Sequence, residues 1–212
     1  MSDLQLILTS IQREVLDSFA SNFECLPNWR IHQGYYQELQ KHDAVVSPAN
    51  SFGLMDGGFD LVLTQRFGEQ LMKRVMMHID EHYLGEQPVG TAFVIETGHP
   101  HTPWLVHAPT MRVPVLVAGT DVAYRSTWAA LIAIHNHNKQ AGADKQIKSV
   151  VLSGMGAGCG RMPPESVGQQ MALAWARYQE VMSGTAYDGM SRWHKALIIQ
   201  QRVIGAVAGI EA

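Results

Sequence analysis

The 212-residue sequence predicts an α/β domain of three layers (α/β/α), in which helices cover both faces of a mixed, largely parallel sheet. Short runs of apolar and β-branched residues alternate along the chain with longer segments whose apolar residues recur every three or four positions. An apolar share of 46% and a charged share of 17% are ordinary for a globular protein. Strands and helices that alternate in this way form parallel sheets covered by helices.

The first half of the chain supplies three predicted strands and a series of helical segments. LQLIL at residues 4–8 is a short apolar run typical of a strand, and residues 11–23 repeat apolar side chains at helical spacing. Two more strands and a segment predicted as one helix or two follow: WRIH at 29–32, DAVVS at 43–47, and FDLVLTQRFG at 59–68 with its continuation.

The second half repeats this alternation. GTAFVIE at 90–96 and PWLVHAP at 103–109 are predicted strands, and residues 121–140 have the apolar spacing of a helix. KSVVLSG at 148–154 is the last predicted strand. A long helix then begins at Pro163, because proline is well tolerated where a helix starts and its missing N–H costs little.

The length of the chain favours a single domain with extensions over two domains. We expect this domain to span residues 1–182, with residues 1–27 adding a strand and a helix at the edge of the sheet. Residues 183–212 form a predicted C-terminal helical extension, which is apolar enough to pack. Three roles are open for it: to cover the domain, to form a homo-oligomer, or to bind a partner.

Charge and composition exclude several classes of function. The formal net charge of −3 and the pI near 6.3 provide no long-range attraction to nucleic acid or anionic membranes. The sequence contains no run of about 18 apolar residues, so no membrane span is predicted, and the first 20 residues lack the pattern of a signal peptide. Two cysteines are too few for a disulfide framework, so we expect a cytoplasmic location.

Two loops of unusual composition follow predicted strands, where α/β sheets bind ligands. They are SPANSFGLMDGGFD at 47–60 and SGMGAGCGRMPP at 153–164. Alternating glycines let the backbone approach a ligand and turn its N–H groups toward phosphate oxygens. A helix starting at Pro163 would add its dipole if its N-terminus points at the same site. The second loop matches neither of two known phosphate-binding motifs. GxGxxG would need glycine at position 159 or 161, where Cys159 and Arg161 stand, and GxxxxGK[ST] would need a lysine after the glycines. A tight connection without a ligand is the alternative interpretation.

The first of these loops, with the strand before it, resembles the first ligand loop of macrodomains, the ADP-ribose-binding modules. That loop usually has a strand of the form DAIVNAAN, a glycine-rich turn and an Asp. Asn50 matches the final Asn of the pattern. Gly57 and Gly58 match the end of its glycine run, and Asp60 matches its Asp.

The second loop also resembles a macrodomain element. LSGMGAGCGRMPP at 152–164 is similar to the loop that wraps the pyrophosphate and the distal ribose. LVHAP at 105–109 is similar to the strand that commonly ends with a His. The resemblance covers residues 28–182 and implies the macrodomain fold.

The resemblance also implies a function. It is closest to the de-ADP-ribosylating macrodomains, and it implies binding of ADP-ribose or an ADP-ribosylated substrate and hydrolysis of an ADP-ribosyl bond, with no metal or cofactor. Asn50 would fix the distal ribose hydroxyls, and Asp60, together with a substrate phosphate, would orient or partly deprotonate water. The implied ligand-binding residues are Ala49, Asn50, Gly57, Gly58, Gly154, Gly156, Ala157, Gly158, Cys159 and Gly160.

Both catalytic candidates have structural alternatives. We expect Asp60 in the first turn of a helix, where the dipole favours the ionised carboxylate, so it suits an acceptor that orients water better than a strong base. Its alternative role is to stabilise that helix. Asn50 can instead be a turn residue whose side chain satisfies backbone groups.

Three departures from the macrodomain pattern keep other functions open. Ser47 and Pro48 stand where the pattern has Asn and Ala, and Tyr35 replaces the usual adenine-reading Asp. The second loop has Cys159 and Gly160 where an aromatic residue is common. A module that binds ADP-ribose or a related nucleotide without turnover is therefore one alternative. An interaction protein that uses its C-terminal segment is the other.

The histidines and the second-loop cysteine are interpreted more simply. His78 and His82 are four residues apart on a predicted helix, but no third ligand completes a metal set, so a solvated helix surface is expected. We expect His107 to be a core histidine. Cys159 is the one cysteine in a glycine-rich loop, but the sequence indicates no general base beside it for cysteine catalysis.

Overall fold

The structure is a computed structural model that describes residues 4–186 and 189–209. Its strands are β1 (Gln5–Ser10), β2 (Trp29–Gln33), β3 (Ala44–Ser47), β4 (Phe93–His99), β5 (Thr102–His107) and β6 (Ser149–Ser153). Its α-helices are α1 (Arg13–Phe23), α2 (Gly58–Phe67), α3 (Glu69–Tyr83), α4 (Val122–Gln140), α5 (Pro164–Ser183) and α6 (Arg192–Ala208). A short 3-10 helix spans Tyr36–Glu38.

The six strands form one sheet in the order β2-β1-β6-β3-β5-β4. Every neighbouring pair is parallel except β4 and β5, which are antiparallel. The prediction of a mixed, largely parallel sheet is confirmed. The predicted strand at 90–96 begins at Phe93 and continues to His99, because it forms a hairpin in which His99 pairs with Thr102.

The position predicted for the first strand is wrong. β1 lies inside the sheet, since Leu6 pairs with Trp29 of β2 on one side and with Val150 of β6 on the other. Its residues from Leu6 to Thr9 are all buried, as expected for a strand covered on both faces. Residues 1–27 were expected at the sheet edge, but that edge is formed by β2.

Helices cover both faces of the sheet, which confirms the three layers. Neighbouring residues of β1 join different apolar clusters: Leu6 and Leu8 belong to one, and Ile7 between them belongs to the other. The first cluster includes residues of α1, α4 and α5, and the second includes residues of α2 and α3. Side chains alternate between the faces of a strand, so each cluster fills one side of the sheet.

The predicted C-terminal helix is present as α6, and its inner face covers the domain. Val203 packs with Tyr124 and Ala174 of α4 and α5, and Lys195 Nζ lies 2.6 Å from the Glu180 carboxylate. The outer face carries large exposed apolar side chains: Trp193, Leu197 and Ile204. Self-association through residues 183–212 stays a prediction.

No helix within residues 4–186 and 189–209 is long and apolar enough to cross a membrane.

Candidate functional site

The two glycine-containing loops line one cleft at the carboxyl ends of β3 and β6. Its volume is about 280 Å³, close to the lower end for small-molecule sites. The structure brings together all but one of the predicted site residues: Ala49, Asn50, Gly57, Gly58, Asp60, Gly154, Gly156, Gly158, Cys159 and Gly160.

Ala157 is the exception. Its side chain packs against the apolar cluster beneath the second loop, and its backbone N–H donates to the Gly154 carbonyl at 3.1 Å. Ala157 is therefore not among the residues that line the cleft, and its part in ligand binding stays a prediction. A loop of this tightness turns some of its residues inward, and the sequence alone does not say which.

A third wall of the cleft was missed. The segment after β5 runs beside the first loop, where Thr110 N–H donates to the Ala49 carbonyl at 3.0 Å and Ser51 N–H donates to the Met111 carbonyl at 3.1 Å. The sequence could have predicted this wall, because the carboxyl ends of adjacent parallel strands meet at one edge of the sheet and the segment at 110–114 directly follows a predicted strand. The lining residues that were not predicted are Pro48, Leu54, Asp56, Phe59, Thr110, Met111, Pro114 and Ser153.

Asn50 holds the first loop together with its side chain. Its Oδ1 accepts hydrogen bonds from the backbone N–H groups of Phe52 at 3.0 Å and Leu54 at 3.3 Å. Its Nδ2 donates to the Leu54 carbonyl at 2.9 Å. These bonds match the alternative interpretation of Asn50 as a turn residue, although Asn50 also lines the cleft.

Asp60 lies in the first turn of α2, as predicted, and is only 8% exposed. The Ser47 hydroxyl donates to its Oδ1 at 2.5 Å. Burial raises the pKa of Asp60 to about 7, the Ser47 hydrogen bond opposes this rise, and the Asp56 carboxylate adds to it. We expected the dipole at the start of α2 to keep this carboxyl ionised. That expectation is wrong, because the loss of hydration on burial disfavours the charged form more strongly than the dipole favours it.

The start of α2 supplies backbone donors to the cleft. Gly57 is the N-cap residue and makes no side-chain cap hydrogen bond, and Gly57, Gly58 and Phe59 all line the cleft. The first N–H groups of a helix have no partner within it, and they favour anions.

The start of α5 does not have this role. Pro163 and Pro164 line a separate cavity together with Glu14, Asp17 and Glu165. The two prolines carry no N–H and the acidic side chains repel anions, so this helix start is unsuited to phosphate. The condition under which the α5 dipole would add to the cleft, that the helix N-terminus points into it, is therefore not met.

The second loop is held by backbone hydrogen bonds. Within it, Arg161 N–H donates to the Gly158 carbonyl at 3.1 Å and Met162 N–H donates to the Gly156 carbonyl at 3.0 Å. Within the described part of the chain, the N–H groups of Gly156, Gly158, Cys159 and Gly160 donate no hydrogen bond. These four amides are available to an anion in the cleft.

The glycines of the second loop are needed to different degrees. A Cβ on Gly160 would lie 2.5 Å from Val117 Cγ2 and 2.7 Å from the Gly156 carbonyl oxygen. A Cβ on Gly158 would meet no heavy atom within 4 Å. Close packing therefore requires glycine at position 160, and Val117 N–H also donates to the Gly160 carbonyl at 2.9 Å.

Comparison with known proteins identifies the family. The sequence profile of the macro domain family (Macro domain) matches residues 46–171, which is more than half of the chain. The protein belongs to the macro domain family. The matched segment of this macro domain contains both cleft loops but excludes β1, α1 and β2, even though β1 lies inside the sheet.

Two relatives of this macro domain are described only as uncharacterized proteins. One, from Aquifex aeolicus, is 32% identical over 130 residues, which cover 61% of this chain and 70% of the relative. The other, from Aeropyrum pernix, is 29% identical over 159 residues, which cover 71% of this chain and 77% of the relative.

Solved macrodomain structures share the fold. The macrodomain of Mycobacterium tuberculosis DarG has a TM-score of 0.53 at 23% identity, covering 69% of this chain and 88% of its own. A Trypanosoma brucei macrodomain in complex with ADP-ribose has a TM-score of 0.52 at 14% identity, covering 68% of this chain and 55% of its own. At these identities the likeness shows the fold alone.

The macro domain also contains the predicted core histidine. His107 is fully buried, and its Nδ1 lies 2.6 Å from Gln87 Oε1, whereas its Nε2 has no hydrogen-bond partner among residues 4–186 and 189–209. Burial, with a smaller effect from His78, lowers the pKa of His107 to about 3, so the ring is neutral. In the described ranges, no group of three His, Cys, Asp or Glu side chains is placed to hold a metal ion.

Proposed function

We propose that this macro domain binds ADP-ribose or an ADP-ribosylated substrate in the cleft and hydrolyses an ADP-ribosyl bond. One observation carries the proposal: a buried carboxyl, Asp60, lies in the same cleft as two sets of backbone N–H groups that donate to no described residue. This pairing suits a ligand that has phosphates at its centre and a reactive bond at one end. The Trypanosoma brucei macrodomain, which shares the fold, was solved in complex with ADP-ribose.

The phosphate charges of the ligand need no basic side chain here. No Lys or Arg is among the described residues that line the cleft. Amides at the start of α2 and in the second loop can donate to phosphate oxygens, and the α2 dipole favours negative charge at that end. The pyrophosphate would therefore lie between Gly57 and Gly58 on one side and the second loop on the other.

Asp60 would orient and deprotonate the water. A general base works best when its pKa lies near the working pH, and burial raises the pKa of Asp60 to about 7. The water oxygen bonds to the anomeric carbon of the distal ribose while the bond from that carbon to the carrier breaks. Asp60 takes one proton of the water, and a substrate phosphate helps to orient that water. The carrier leaves with the bonding electron pair and takes up a proton from Asp60 or from solvent, which returns Asp60 to its ionised form.

A non-catalytic ADP-ribose module is the second candidate function. The observation that favours it is the side chain of Asn50, whose oxygen and nitrogen both bond to the loop backbone. An amide that is occupied in this way has less capacity to fix ribose hydroxyls. Binding would then rest on the backbone amides, and turnover would be absent.

Calorimetry and a turnover assay separate these functions. We expect ADP-ribose to bind with micromolar affinity and much more tightly than AMP or ribose 5-phosphate, because only the whole ligand reaches both loops. Release of ADP-ribose from a mono-ADP-ribosylated protein should rise with pH through about 7 as Asp60 ionises. Binding without turnover would support the second candidate, and no binding would contradict both.

A further inference from the structure

We propose that Ser47 is a positioning residue for Asp60: its buried hydroxyl holds the carboxyl in one orientation for the reaction. The inference rests on the proposed hydrolysis and adds a residue to it. Ser47 is 0% exposed and does not line the cleft, so it acts through Asp60 and not on the ligand.

The sheet fixes the position of the Ser47 hydroxyl. Ser47 is the last residue of β3 and pairs with His107 of β5. Its backbone carbonyl accepts a hydrogen bond from Ala108 N–H at 3.0 Å. Val45, two residues earlier, packs in the cluster that includes α2 and α3, so the Ser47 side chain faces the same helices. The hydroxyl therefore approaches α2 from a rigid strand.

The hydrogen bond between the two side chains is exclusive. Across the described residues, Ser47 Oγ makes only the bond to Asp60 Oδ1, at 2.5 Å, and no side chain other than Ser47 donates to Asp60. Asp60 Oδ2 accepts no hydrogen bond from any described residue, and Asp60 lines the cleft. Ser47 thus holds one carboxyl oxygen and leaves the other for water, and without Ser47 the carboxyl could rotate.

The groups around the pair explain why this bond affects protonation. Asp56 in the first loop disfavours the Asp60 carboxylate, and burial disfavours it more strongly. His107 faces the same side from β5 and is neutral, and Cys159 lines the cleft from the second loop. The Ser47 hydroxyl is the one identified group that lowers the pKa of Asp60.

The test compares Ser47→Ala with a matched loss of a buried hydroxyl elsewhere. Ser126 is also 0% exposed, and its Oγ donates to the Pro109 carbonyl at 2.8 Å. We expect Ser47→Ala to lower kcat at pH 7 about 10- to 100-fold, to change ADP-ribose affinity less than about threefold, and to move the acidic limb of the pH–rate profile upward by about one unit. Ser126→Ala should keep the wild-type kcat and profile.

Two further results decide between positioning and general structure. Ser47→Thr, which keeps the hydroxyl, should recover most of the lost kcat. A Ser47→Ala enzyme with the wild-type kcat and pH profile would overturn the inference, as would a loss of the same size at every pH.

Carboxyl ¹³C NMR keeps this inference separate from the proposed function. The Asp60 titration should move upward in Ser47→Ala whether or not the protein turns over substrate. A wild-type protein without turnover would contradict the proposed hydrolysis. The Asp60 titration would then be the measurement that decides whether Ser47 acts on the Asp60 carboxyl. An Asp60 pKa that is equal in the wild type and in Ser47→Ala would overturn it.

Discussion

The two loops of the cleft present their groups to a ligand in different ways. The first loop depends on side chains: Asn50 holds its turn, and Asp60 supplies its carboxyl. The second loop depends on the absence of side chains, because Gly160 is packed closely and several amides nearby are unpaired. The side chains of the first loop should therefore determine chemistry, and the backbone amides of the second loop, together with those at the start of α2, should determine affinity.

Replacing the Asp60 carboxyl should have the largest effect and should separate chemistry from affinity. Asp60→Asn keeps the shape of the side chain but removes the base, so we expect kcat to fall about 10²- to 10⁴-fold. The affinity for ADP-ribose should change little, because the backbone amides remain. Single-turnover assays and calorimetry measure these two quantities.

Two results for Asp60→Asn would contradict this division of roles between the two loops. A normal kcat in Asp60→Asn would remove Asp60 from the chemistry. A loss of ADP-ribose affinity as large as the loss of kcat would show that the Asp60 side chain also carries binding.

The stability of the same variant should depend on pH. The folded-state pKa of Asp60, about 7, is raised above its ordinary value of 3.8. The protonated carboxyl therefore favours folding fully below about pH 4, and this contribution is lost as the pH rises through about 7. Relative to the wild type, Asp60→Asn should gain unfolding free energy on the order of 2–3 kcal/mol between pH 5 and pH 8.

Urea unfolding at the two pH values measures this difference. An equal offset between the variant and the wild type at pH 5 and pH 8 would show that burial does not raise the Asp60 pKa. Burial of Asp60 would then not disfavour its ionised form.

Alanine at two glycines tests the second loop. Gly160→Ala should weaken ADP-ribose binding about tenfold or more and lower Tm, because its Cβ would collide with Val117 and with the Gly156 carbonyl. Gly158→Ala is the matched control, since its Cβ meets no protein atom. Its Tm should be unchanged, and its affinity should fall less. Equal losses in the two variants would contradict the packing argument.

Asn50→Ala should weaken ADP-ribose binding less than Gly160→Ala, and it tests whether Asn50 acts on the ligand or only on the loop. We expect a loss of about 1–3 kcal/mol in unfolding free energy, because two backbone N–H groups lose their acceptor. ADP-ribose affinity should fall about three- to tenfold as the loop loosens. A much larger loss of affinity would indicate direct contact with ribose.

Asn138→Ala is the matched control for this change. Asn138 also bonds to the backbone of one loop, through the N–H and carbonyl of Ile147, and it does not line the cleft. It should lose similar stability and keep its affinity for ADP-ribose.

The sequence predicted the features that depend on local composition. Alternating apolar periods indicated the three layers, and the loops around Asn50 and Gly158 were found because small residues follow apolar strands directly. The helices predicted to begin at residue 59 and at Pro163 begin one residue away, at Gly58 and Pro164.

The features that were missed depend on contacts between distant segments. The contact of Ser47 with Asp60 requires the packing of α2 on β3, and the burial that raises the Asp60 pKa requires the whole cleft. Ala157 turns inward for a similar reason. The interior place of β1 depends on pairing with β6, which no local pattern encodes.

The place of β1 in the sheet has a consequence for how the chain folds during synthesis. β1 lies near the beginning of the sequence, but its partner β6 spans Ser149–Ser153. The middle of the sheet therefore closes only after most of the chain has left the ribosome, and closing so long a loop slows folding. Nascent chains that end before Ser149 should be cleaved by protease much faster than chains that include β6. Until β6 emerges, the apolar strand of β1 must be kept from pairing elsewhere.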